Sequence, residues 1–96
     1  MNAELIHRAA GQDYEFVRAD EIVGRLVWIE RPDAKDCVPG WVLRVPGWPD
    51  RQMYRIPQAL ADDLAAARHY RESVTLGMAH AIVDDRLSGL VPKPVP

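Results

Sequence analysis

Val38-Pro39-Gly40-Trp41-Val42-Leu43-Arg44-Val45-Pro46-Gly47-Trp48 contains one four-residue phrase twice, Val-Pro-Gly-Trp, at positions 38–41 and 45–48. Pro-Gly marks a turn, because proline presets the first corner and glycine accepts the positive φ of the second. Between the two turns, Trp41-Val42-Leu43-Arg44-Val45 alternates and is rich in β-branched residues, which predicts a short strand. In a strand, Trp41, Leu43 and Val45 share one face while Val42 and Arg44 share the other, so Trp41 is assigned to the core. Trp48, between Gly47 and Pro49 at a loop tip, is harder to bury and is either a cap on the sheet or an exposed contact residue.

Working outward from this stretch, the first half of the chain reads as short strands broken by Gly, Pro and Asp. Leu5-Ile6-His7 and Tyr14-Glu15-Phe16-Val17-Arg18 are strands joined through Gly11-Gln12-Asp13, a hairpin signal. Residues 22–30 follow, carrying Leu26-Val27-Trp28-Ile29. Four consecutive apolar residues predict a central strand covered on both faces, and Gly24 within it predicts a bulge or a close backbone approach. After a polar loop over 31–38 come the strand at 41–45 and another at 52–56, joined by a hairpin with an irregular tip.

Pro57 suits the first position of a helix. Leu60, Leu64 and Ala67 recur at spacings of four and three, a single apolar stripe. Asp62 and Asp63 early in this helix, with Arg68, His69 and Arg71 near its end, complement the helix dipole. A second helix is predicted over about 73–87 with Val74, Met78, Ala81 and Ile82 facing inward. Ser73, Thr75 and Gly77 are weak helix formers and predict a break or kink between the two, with one continuous helix as the alternative. The expected fold is therefore α+β: an antiparallel sheet of four or five short strands (residues ~4–56) covered by two C-terminal helices (~57–71 and ~73–87). Leu26, Trp28, Leu43, Leu60, Leu64 and Ile82 are its expected common core. Residues 1–89 form a single domain on this reading, and 90–96 an extended proline-alternating tail.

Composition sets the outer limits. The chain has 96 residues, 48% hydrophobic and 27% charged, which is ordinary for a folded domain with one core. Net charge is −2 and evenly spread, so the basic excess typical of nucleic-acid binders is missing. Cys37 is the only cysteine, which excludes an intrachain disulfide and a cysteine-based zinc site, and its neighbour Asp36 disfavours a reactive thiolate. No signal-peptide pattern and no long apolar run is present, and a cytoplasmic location is expected. Arginine outnumbers lysine ten to two and alanine occurs twelve times, a bias that suits a GC-rich bacterial coding sequence.

Candidate chemistry is sparse. His69 and His80 are eleven residues apart, so on one helix they would sit about 16 Å from each other, too far to share a metal. A helical histidine pair on one ion needs a spacing of three or four. Asp62-Asp63 and Asp84-Asp85 are adjacent pairs whose side chains diverge by about 100° on a helix, so solvated faces are expected rather than a metal site. Ser73, Thr75, Ser88 and Cys37 lie in no nucleophile motif, and no glycine-rich phosphate loop occurs. No cofactor, metal or catalytic residue is assigned.

Aromatic and arginine residues provide the best lead. Trp41, Trp48 and Tyr54 lie close in sequence to Arg44, Arg51 and Arg55, and these residue types are enriched at binding hot spots. Trp48, Arg51, Tyr54, Arg55 and Arg44 are the expected partner-binding residues. The expected function is a small non-enzymatic binding protein acting on a protein partner, such as an accessory or inhibitor protein of a bacterial phage or mobile element. A nucleic-acid-associated regulator using the same arginines is the alternative, and an enzyme with a hidden site is third. Open sheet edges and a second apolar helix face predict a homodimer. No membrane association is expected.

Overall fold

A computed structural model describes residues 4–30, 39–56, 58–60 and 62–89. Cys37, Pro57 and the 90–96 tail lie outside them. The described residues form five strands, β1 (Ile6–Ala10), β2 (Asp13–Arg18), β3 (Glu21–Ile29), β4 (Gly40–Arg44) and β5 (Arg51–Arg55). Each pairs antiparallel with the next, in the order β1-β2-β3-β4-β5. A 3₁₀ turn at Gln58–Leu60, a short α1 (Leu64–His69) and a long α2 (Glu72–Gly89) follow. The expected α+β class and the central place of β3 agree with this arrangement.

Local chemistry explains the connections. Gly11 takes φ +65 in the β1–β2 turn and Gly47 takes φ +84 in the β4–β5 turn. The β2–β3 turn has no glycine; Ala19 and Asp20 adopt φ 51 and φ 64 instead, the left-handed pair that a tight hairpin needs. The two Val-Pro-Gly-Trp phrases diverge in use. Gly47 makes a true turn, with the Trp48 N–H bonded to the Val45 carbonyl at 3.0 Å. Gly40 instead lies within β4, opposite Ile29 on one side and Arg55 on the other.

Alternation along the paired strands sorts the sheet into two faces. One face carries the core: Tyr14 opposite Leu26, Leu26 opposite Leu43, and Trp28 opposite Trp41. Phe16, Leu26, Trp41 and Leu43 are fully buried there, joined by Ala67, Ala79 and Val83 from the helices. Gly24 permits the close approach of α2. A Cβ at this position would stand 3.4 Å from the Arg44 carbonyl oxygen and 3.5 Å from Val83. On the opposite face Arg8, Glu15, Arg25 and Arg44 form one cross-strand row. Glu15 bridges the first two arginines, at 3.1 Å from Arg8 and 3.6 Å from Arg25. Val27 and Ile29 are only half-buried on this side, so β3 is fully covered on one face and not on both as expected.

The helical half differs from expectation in two respects. The expected helix over 57–71 contracts to the 3₁₀ turn and the six-residue α1. Asp63 is the reason: its carboxylate accepts the Ala66 N–H at 3.1 Å, so it caps a new helix instead of continuing an old one. Leu64, expected in the core, is half-buried, and Ala67 takes the buried position. The break falls at Tyr70-Arg71, where Arg71 has φ 57, and α2 runs through Ser73, Thr75 and Gly77 without interruption.

The inward face of α2 is also rotated from the expected one. Thr75, Ala79 and Val83 are buried, with Leu76, Ile82 and Leu87 packed against the core. Val74 and Met78, expected inside, are 60% and 52% exposed, and Ala81 is exposed too. The helix carries two apolar stripes, with Ile82 between them. The stripe with the smaller residues, Thr75 and Ala79, lets the helix axis lie closer to the sheet.

Candidate functional site

The β4–β5 tip places Trp48 where β3, β4 and α2 meet at the surface. Trp48 is 44% exposed, and the Arg86 guanidinium of α2 sits over its ring at 4.9 Å. Two adjoining clefts flank the ring and share Ile22, Val45, Pro46, Gly47 and Trp48. The first, about 490 Å³, adds Gly24, Arg25, Arg44 and Asp50; the second, about 380 Å³, adds Val23, Arg86 and Leu87. Arg44 is held toward the tip by Asp50 at 3.1 Å. A cation over one face of the indole fixes the ring and leaves the rest of it open.

The predicted contact residues separate in the structure. Trp48 and Arg44 come together at the first cleft. Arg51 is exposed at the start of β5. Arg55 pairs with Gly40 through the backbone, and its side chain lies outside the described residues. Tyr54 turns away from the tip. It sits opposite Trp41 and packs against the core, 6.0 Å from the Tyr70 ring. Burial raises its phenol above the usual range, Tyr70 adds to this and Arg71 opposes it. Tyr54 therefore supports the fold and does not line either cleft beside Trp48.

Ile22, Arg25 and Arg86 were not foreseen as neighbours of Trp48. Arg25 follows from strand register once β3 and β4 are aligned, since it lies directly opposite Arg44. Arg86 had no local signal, because its approach depends on which face α2 turns inward.

The histidines also combine unexpectedly. His80 meets His7, not His69, with their Nδ1 atoms 3.1 Å apart and both rings edge-on to Phe16. One nitrogen donates and the other accepts, which links the edge strand β1 to α2. Among the described residues no group of three or more His, Cys, Asp or Glu side chains is placed to hold a metal. No helix among them is long and apolar enough to cross a membrane. Compared with known protein families, curated proteins and solved structures, the chain matched none.

Proposed function

We propose that this is a small non-enzymatic binding protein that acts by presenting the Trp48 edge to a protein partner. The observation that carries this reading is the half-exposed indole held under Arg86 between two clefts. A large aromatic already fixed in place loses little freedom on binding, which is what makes such residues hot spots. The nucleic-acid alternative has less support, because the net charge is −2 and the carboxylates of Glu15 and Asp50 are interspersed among the arginines. Steep loss of binding with rising salt would favour that alternative.

Trp48→Ala tests the reading. Used as bait beside the wild-type chain, the variant is expected to lose its partner by roughly 30-fold or more, a hot-spot effect of about 2 kcal/mol. Its melting temperature should stay within a few degrees of wild type. A lowered melting temperature with the partner retained would mean that Trp48 only caps the sheet.

Self-association belongs to the same proposal. Val74 and Met78 form an exposed apolar patch on the outward side of α2, with Tyr70 exposed just before the helix, and Gly77 has open space beside it. An antiparallel pairing of two copies centred on Met78 sets Arg71 of each near Asp85 of the other, a self-complementary arrangement. Light scattering is expected to return a dimer mass, and Met78→Glu a monomer. A monomer mass for the wild-type chain at tens of micromolar removes the pairing.

A further inference from the structure

We propose that the clefts beside Trp48 receive an acidic segment of the partner, a carboxylate adjoining an apolar side chain. This rests on Trp48 being the contact residue and specifies what that residue meets. Among the described residues, charge around the indole is one-sided: Arg25, Arg44 and Arg86 line the clefts against the single carboxylate of Asp50. Two of these arginines hold only replaceable partners. The Arg44–Asp50 pair is more than half exposed on both sides, and Arg25 reaches Glu15 at 3.6 Å with its own side chain exposed. Exposed pairs of this kind contribute little, so an arriving carboxylate can exchange with them at small cost.

Arg86 provides the stronger indication. Its Nη1 is shut off from solvent and has no hydrogen-bond partner among the described residues. A cationic donor buried without an acceptor is unfavourable, and the state relaxes when an acceptor comes within reach. A carboxylate matches the planar fork of a guanidinium. In the bound state the guanidinium turns on the Trp48 ring to present Nη1 to the partner's carboxylate. Ile22, Val45, Pro46 and Leu87 supply apolar walls next to it, which suits an aliphatic or aromatic neighbour of the acid. Such walls, on a chain of net charge −2, favour a peptide over a nucleic-acid backbone.

A library of short random peptides, selected on the full chain and counter-selected on Trp48→Ala, tests this. The expected survivors are enriched in Asp or Glu beside Leu, Ile, Phe or Trp. Arg86→Gln should weaken their binding about tenfold or more, as should the double variant Arg25→Gln/Arg44→Gln. The double variant alters only exposed side chains, so it decides the matter if Arg86→Gln proves unstable on melting. Trp48-dependent peptides without acidic enrichment, or affinities unmoved by every arginine change, overturn the acidic segment and leave Trp48 as a contact residue. Failure to recover any Trp48-dependent peptide overturns both.

Discussion

Trp41→Ala is expected to cost about 3–5 kcal/mol, the range for truncating a large buried aromatic. The ring is fully buried at the point where β4 meets α1. It stands 5.2 Å from the Trp28 ring, its register partner, and 5.9 Å from Tyr14 on the neighbouring hairpin. Its Nε1 donates to the Arg68 carbonyl of α1 at 3.3 Å, and the Arg68 guanidinium lies 5.1 Å from the ring centre. Truncation therefore opens a cavity and detaches α1 from β4 together. Domains of this size have roughly 5–15 kcal/mol of stability, so the variant should be close to unfolding at room temperature. Trp41→Phe keeps an aromatic ring but loses the pyrrole portion and its N–H, and should cost less than the alanine variant, about 1–3 kcal/mol. Urea denaturation measures both. A loss below about 1 kcal/mol for the alanine variant would show that the ring does not anchor α1.

The strands were legible because their signals are local. Turn residues and two-residue alternation mark β1, β2, β4 and β5 within a few residues each, and a meander is the simplest way to join them. The β2–β3 turn was the exception, because Ala19-Asp20 adopts left-handed geometry without glycine. The orientation of α2 was not legible, since Val74-Met78 and Ala79-Val83 both satisfy helical spacing and only packing against Gly24 chooses between them. The same rotation decides which residues reach the tip. Turning α2 by about one residue, roughly 100°, moves Arg86 onto Trp48 and Met78 out to the surface. Half of the candidate site, Trp48 with Arg44, could thus be read from one hairpin. The other half waited on a contact between segments far apart in sequence.

Arg68→Met is expected to cost about 2–3 kcal/mol and to push the Tyr14 phenol further up. Arg68 is the side chain that ties α1 to its surroundings. Nη1 donates to Glu72 Oε2 at 2.7 Å and Nη2 donates to the Gln12 carbonyl in the β1–β2 turn. Its side chain is only 15% exposed, so the Glu72 pair is worth more than a surface ion pair, though less than a fully buried one. Methionine keeps the apolar stem over Trp41 and removes the charge, which separates packing from electrostatics. Glu72 is then left beside Tyr14 without its main cation. Burial raises the Tyr14 phenol above its ordinary value, the Glu72 charge and hydrogen bond raise it further, and Arg68 pulls it down. A raised phenol adds stability that is fully present below the unfolded value near pH 10 and is lost as pH rises through the folded value. Removing Arg68 should move the Tyr14 titration to higher pH and widen that alkaline window, even as stability at neutral pH falls. Tyrosinate absorbance against pH, with Tyr14→Phe as reference, reads the shift, and urea denaturation at neutral pH reads the loss. A loss without the shift would place the work of Arg68 at Gln12 and Trp41 alone. Neither effect would mean that α1 is held to the sheet by Ala67 and the Trp41 hydrogen bond without help from the guanidinium.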